Sequence, residues 1–295
     1  MTHPILVTGG SGQLASSLAA IGGEQVRRVG RPEFDFDVPP SIDTIFARAA
    51  PRLVVNAAAW TAVDAAEADE AGAARANVAG PARLAGLCAD AGIPLIHVST
   101  DYVFDGDKGE PYLETDPTSP TGVYGRTKAD GERAVLAACP RAIVLRTSWV
   151  YSPTGKNFVR TMVEAATRHP TLRVVGDQYG RPTSADDLAA GILAIAGRIE
   201  ADGWQEQYGG IFHAAGSGEA TWHGLAVAAL EAAARHGRPM PDVIAIRTAD
   251  WPTPARRPSD SRLDCSKLDR VFGVRLPPWR RSVSATVDHL LGAGQ

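Results

Sequence analysis

Tyr124 and Lys128 are the pair whose types and spacing could do chemistry. The stretch Tyr124-Gly-Arg-Thr-Lys128 reads as the first turn of a helix, and side chains four apart on a helix share a face. A phenol and an ammonium group can therefore point into one cleft. A free tyrosine titrates near ~10. A lysine charge ~5 Å away favours the phenolate by roughly 3 kcal/mol at an effective dielectric of ~20, about 2 pKa units. So placed, Tyr124 is expected to work as a general acid near neutral pH. Of the six tyrosines, no other has a lysine four residues later. Alone, the pentapeptide fits an ordinary surface helix equally well.

A second group of residues could hold a phosphate. Ile5-Leu6-Val7 is a short apolar run, followed at once by Thr8-Gly9-Gly10-Ser11-Gly12-Gln13-Leu14-Ala15 and then by a stretch with Leu14, Leu18 and Ile21 on one face. That order is strand, glycine turn, helix. Gly9 permits the tight turn, Gly12 lets a pyrophosphate approach backbone N–H groups at a helix start, and Ala15 is small enough for helix–strand packing. After the second strand, Gln25 to Val29, NAD-preferring sites usually carry an acid for the ribose 2′-hydroxyl. Gly30 and Arg31 stand there instead, and an arginine suits a 2′-phosphate. NADPH is therefore expected, with NADH as the alternative. Asp35-Phe36 follows, and Ser41 is a candidate helix cap.

Leu53 to Asn56 reads as a third strand, leaving through Ala57-Ala58-Ala59-Trp60-Thr61, where small side chains would let a flat cofactor lie against the backbone. An alanine-rich helical region containing Asn77 runs from Asp64 to Ala91. Pro94 to Ser99 is a fourth strand, with His97 expected as a satisfied core residue. It exits into Thr100-Asp101-Tyr102, and residues leaving the carboxyl ends of parallel strands face the ligand crevice. Thr100 is thus placed to touch a substrate oxygen. Ala142 to Arg146 is a fifth strand, exiting into Thr147-Ser148-Trp149. Strand and helix alternate throughout this half, as in a doubly wound parallel sheet. Beyond residue 150 the rhythm loosens, and the proline-rich Trp251–Pro258 stretch cannot be regular structure. Its two arginines could grip a diphosphate.

The 295 residues allow one large domain or two unequal ones. A formal charge of −3 argues against nucleic-acid or anionic-membrane partners. No stretch reaches the ~20 apolar residues of a membrane span, and Met-Thr-His-Pro is not a targeting leader. Three cysteines, an odd number without metal-ligand spacing, are expected to be reduced thiols in a cytoplasmic protein. No metal site is expected.

Together these stretches resemble the extended short-chain dehydrogenase/reductase family. Thr8-Gly9-x-x-Gly12 and Tyr124-x-x-x-Lys128 carry the general likeness. Val55-Asn-Ala-Ala-Ala59, Ser99-Thr-Asp-Tyr-Val-Phe104, Arg146-Thr-Ser-Trp-Val-Tyr151, Asp177-Gln-Tyr-Gly180, Thr221-Trp-His223 and Arg257-Pro258 are more specific. They are similar to the branch that reduces dTDP-linked 4-keto-6-deoxy sugars, over essentially the whole chain. The resemblance implies a Rossmann-type α/β fold, with residues 1–150 binding NADP(H). Residues 151–295 would be a smaller mixed α/β part, mainly binding the sugar nucleotide, with segments returning to the Rossmann core. It implies Tyr124 as proton donor, Lys128 on the nicotinamide ribose and Thr100 on the carbonyl. Asp101, Tyr102 and Trp149 would line the sugar pocket, with Arg257 near the diphosphate. Gly9, Gly12, Gln13, Leu14, Asp35, Phe36, Ala58, Ala59 and Thr61 would form the cofactor shell. The implied reaction yields dTDP-L-rhamnose. Other 4-keto-6-deoxy sugar nucleotides, or a non-catalytic regulatory subunit, are the rival readings. Some members pair through a magnesium ion held by carboxylates. Ser17 stands at one matching position, which leaves magnesium, and the choice between monomer and homodimer, open.

Overall fold

The computed structural model describes residues 3–292, so Met1 and Thr2 of the Met-Thr-His-Pro opening lie outside the described residues. The apolar runs β1 (Ile5–Thr8) and β3 (Leu53–Asn56) are buried along their full length. Strands covered on both faces by helices need such runs. With β2 (Val26–Arg28), β4 (Leu95–Thr100), β5 (Ala142–Thr147) and β6 (Gly210–His213) they form one parallel sheet in the order β6-β5-β4-β3-β1-β2. The chain steps outward from β1 to β2, then returns to lay β3 on the other side of β1. Crevices open at such switch points, over the carboxyl ends of the strands. Registers that pair Thr8 with Asn56 and Thr100 with Thr147 bring those ends to one rim.

Of the helices α1 (Gln13–Gly22), α2 (Pro39–Ala49), α3 (Gly80–Asp90), α4 (Val123–Ala138), α5 (Phe158–Ala166), α6 (Ala185–Asp202), α7 (Trp222–Ala234), α8 (Ser266–Phe272) and α9 (Trp279–Gly292), all but α5, α7 and α9 pack around this sheet. Strand side chains alternate between faces. Ile5 and Val7 meet Leu18 of α1, Ile192 of α6 and Leu268 of α8 in one core. Leu6 and Val54 meet Ile42 of α2, Leu84 of α3 and Val135 of α4 in the other. The molecule is a three-layer Rossmann-type fold. β6, α6 and α8, all drawn from beyond residue 150, belong to it. The rest of that half packs α5, α7 and α9 around Val159, Leu225 and Val283. It adds a parallel pair of short strands, Thr171–Val175 with Asp242–Ile246.

Two local expectations change. Ser41 does not cap α2, which starts at Pro39 behind Val38 because proline suits the first helical turn. The Ser41 hydroxyl instead accepts the Asp35 N–H at 2.9 Å. His97 is buried and Asn56 bonds its Nδ1 at 2.9 Å, but its Nε2 has no partner among the described residues. The three cysteines are free; Cys88 and Cys139 are buried.

Candidate active site

α1 begins at the glycine turn with no acid in its first turn and, among the described residues, no side chain capping it. The first N–H groups of a helix have no intrahelical partner, so those beyond Gly12 remain for an anion. The glycines are demanded by packing. Gly9 has φ +107°, and a Cβ there would lie 2.9 Å from the Ala57 carbonyl oxygen. A Cβ on Gly30 would lie 2.3 Å from the Gly10 Cα. No acid can stand at position 30 because the second strand's exit is pressed against the glycine turn. The Thr8 hydroxyl donates to Asn56 Oδ1 at 2.6 Å and accepts the Ala58 N–H at 3.2 Å, which ties the turn to the β3 exit.

α4 starts where Glu67 accepts the Val123 N–H at 2.8 Å. Its first turn lies so close to the β4 exit that a Cβ on Gly125 would be 2.1 Å from the Tyr102 carbonyl oxygen. Asn77, on a π-helical turn, holds the β3 exit loop to this helix: its Nδ2 donates to Thr127 Oγ1 at 3.0 Å and its Oδ1 accepts the Trp60 N–H at 2.9 Å. Single π turns recur at functional sites. Tyr124 then stands edge-on to Tyr102, ring centroids 5.8 Å apart, with the Thr100 hydroxyl acting on its phenol.

The electrostatics differ from the expectation in one respect. Lys128 does not draw the Tyr124 phenol down; burial pushes it up to about 12, with the Thr100 hydrogen bond working the other way. The Lys128 ammonium is turned to the Val98 carbonyl, 2.7 Å away, and is 2% exposed. Burial lowers it to about 8, opposed by the charge of Glu132. Asp101 is raised to about 7 by burial, against hydrogen bonds from Ser261 at 2.5 Å and Thr100 at 3.0 Å.

One cleft of about 880 Å³ gathers these parts. Gly9, Gly12, Gln13 and Leu14 lie at one end with Arg31, Asp35 and Phe36; Ala58, Ala59 and Thr61 form a side; Thr100, Asp101, Tyr102, Tyr124, Lys128 and Trp149 close the other end. Arg257 is not brought to the cleft wall. Its Nη2 bonds Asp64 at 2.8 Å, its charge acts to lower the Tyr102 phenol, and its buried Nη1 has no partner among the described residues. Arg31 is exposed and already engaged, 3.0 Å from Asp35 and 2.8 Å from Asp37.

Sequence reasoning missed Trp222, Ser148 and Lys156, which also line the cleft. Trp222 stacks on Trp149 with centroids 3.7 Å apart and planes at 10°. Trp149 has φ +48°, and a Cβ on Gly180 would lie 2.4 Å from its ring. No spacing links residues 149, 180 and 222. Among the described residues, no group of three or more His, Cys, Asp or Glu gathers to hold a metal ion, and no helix is long and apolar enough to cross a membrane.

The family model described as the RmlD substrate binding domain matches residues 2–291. A dTDP-4-dehydrorhamnose reductase of Sinorhizobium fredii is 44% identical, with 99% of each chain covered. A protein of Streptomyces antibioticus named as a probable dTDP-4,6-dihydroxy-2-methyloxan-3-one 4-ketoreductase is 42% identical over 98% of this chain and 96% of its own. The solved dTDP-4-dehydrorhamnose reductase of Bacillus anthracis, in complex with NADP, superposes with a TM-score of 0.87 at 27% identity, covering 97% of this chain and 99% of that one. The chain belongs to the RmlD substrate-binding-domain family, the dTDP-4-dehydrorhamnose reductases of the extended short-chain dehydrogenase/reductase group.

Proposed function

We propose that the protein reduces dTDP-4-dehydro-L-rhamnose to dTDP-L-rhamnose with NADPH. The observation that carries this reading is the meeting of an uncapped glycine turn with Thr100, Tyr124 and Lys128 in one cleft. The residues fit a dinucleotide: Gly9, Gly12, Gln13 and Leu14 would take the pyrophosphate on bare N–H groups. Phe36, packed against Gly80, would flank the adenine end, and Ala58, Ala59 and Thr61 the middle. When bound, NADPH supplies a hydride to carbon 4 of the sugar. Tyr124 gives its proton to the ketone oxygen while Thr100 hydrogen-bonds that oxygen. Lys128 holds the nicotinamide ribose and supplies the positive charge of the site.

Residues 1–150 would hold the cofactor and residues 151–295 mainly the sugar nucleotide. Asp101, Tyr102 and the Trp149–Trp222 stack form the sugar wall, and Arg257, held on Asp64 off that wall, has no part in it. At the 2′ corner Arg31 favours NADPH, while its two carboxylate partners compete with a phosphate, so NADH is also used. Arg31→Ala should weaken NADPH about tenfold and NADH less than twofold, read as Kd by fluorescence. An equal effect on both removes Arg31 from the 2′-phosphate.

The relative that acts on a different dTDP-linked ketone supplies the second reading. NADPH oxidation is therefore to be followed with dTDP-4-dehydro-L-rhamnose and with other dTDP-4-keto-6-deoxy sugars side by side. A kcat/KM at least tenfold higher for the rhamnose precursor supports the assignment. Turnover of another sugar alone replaces it.

A further inference from the structure

We infer that Glu132 is a positioning residue for this reaction: clamped by Arg146 beneath the cleft, its carboxylate holds Lys128 charged and in line with Tyr124. The inference rests on the reading of the cleft given above. Tyr124, Lys128 and Glu132 are four residues apart along α4 and form one stripe. That stripe meets three consecutive residues of β4. The Thr100 hydroxyl acts on the Tyr124 phenol; Ser99 Oγ donates to Glu132 Oε1 at 2.5 Å; Lys128 Nζ donates to the Val98 carbonyl at 2.7 Å. Arg146 stands opposite Ser99 on β5. Its Nε reaches Glu132 Oε1 at 2.9 Å and its Nη2 reaches Oε2 at 2.7 Å, so the carboxylate cannot turn. Phe104 lies under the guanidinium, 4.9 Å from its ring centroid.

Both partners are almost completely buried. Burying an ion pair costs desolvation that its attraction often only offsets, and apolar residues of similar volume commonly serve stability as well. A desolvated pair at this position therefore calls for a role beyond packing. The role is electrostatic, because the carboxylate shares the Lys128 helix face and acts on its charge. Around Lys128, Glu132 on its own helix acts to raise it and His97 on β4 is in turn lowered by its charge, while His213 on β6 stands by Arg146, 3.5 Å from its Nη1. Burial keeps both histidines neutral, His97 well below its usual range and His213 near about 3. Glu132 is thus the carboxylate that counters burial of the ammonium.

The test is Glu132→Gln, which keeps the shape and removes the charge. Lys128 should lose its proton at lower pH. The basic limb of the kcat/KM profile should move down by about one pH unit, which is on the order of a tenfold loss above the limb and little loss near pH 6. A second readout needs no turnover: NMR titration of protein labelled at its four lysines should show the Lys128 resonance titrating lower by the same amount. Glu132→Asp keeps the charge and should leave the limb in place, although its shorter reach lowers thermal stability. Where Glu132→Gln does not fold, Glu132→Met with Arg146→Met leaves no unpaired charge and should move the limb and the Lys128 titration in the same direction by less, since the Arg146 charge leaves with the carboxylate. A limb and a Lys128 titration unmoved in the charge-neutral variant overturn the inference, whatever the stability. If the unaltered protein turns over no dTDP-4-keto sugar, it is the proposed function that fails, and the lysine titration still decides the inference.

Discussion

At neutral pH the Tyr124 phenol keeps its proton, because burial holds it near about 12. A donor in a reduction needs that state. Tyr124→Phe should leave the Kd for NADPH within about twofold and lower kcat by at least ~10²-fold; near-normal turnover would place the proton donor elsewhere. Asp101 gives a stability prediction. Its folded pKa, about 7, lies above its ordinary value of 3.8. Its contribution is therefore complete below pH ~4 and is lost as pH rises towards 7. The bound is about 4 kcal/mol, at 1.36 kcal/mol per unit. Asp101→Asn should flatten this part of the stability–pH curve, measured by denaturant unfolding at pH 4 and pH 8. An unchanged pH slope would mean that Asp101 does not titrate in this range. Thr100 and Tyr124 were legible from their places at a strand exit and a helix start. The phenol's direction of shift was not, because it depends on which acceptor the lysine finds, and that acceptor is the carbonyl of Val98, 30 residues away.

The elements hold these residues by close backbone approach. Gly125 is the clearest case, with the Tyr102 carbonyl where a methyl group would go. Gly125→Ala should destabilise the protein by roughly 1–3 kcal/mol, as overpacking does, and should lower turnover by shifting Tyr124. Gly86→Ala in α3, where a Cβ would meet nothing within 4 Å, serves as the control and should be neutral or stabilising. Equal melting temperatures for the two variants would refute the close-approach account. Strand, glycine turn and helix could be read from β1 to β5 because their periodicities are local. The strand Asp242–Ile246 could not: it is largely exposed and, among the described residues, pairs with Thr171–Val175 alone. Gly30 was read as a missing acid, whereas contact with Gly10 accounts for it. Nor does local sequence reveal that Trp222 would back Trp149, since α7 reaches the cleft only through the packing of the C-terminal half.

At the scale of the whole molecule, residues beyond 150 complete both the sheet and the cleft. NADPH binding should therefore stabilise the entire fold cooperatively. At 100 times its Kd the gain is about 2.7 kcal/mol, roughly 4 °C in melting temperature for a chain of this size. Tyr124→Phe should show the same gain, since the phenol acts on the substrate. The most direct measurement supplies NADPH deuterated at nicotinamide C4 together with dTDP-4-dehydro-L-rhamnose, and reads the label by NMR and mass spectrometry. Deuterium at C4 of the rhamnosyl product, formed at least ~10²-fold more slowly by Tyr124→Phe although the cofactor still binds, is the expected result. A product without deuterium at C4, or labelled product formed at an undiminished rate by Tyr124→Phe, would contradict the account.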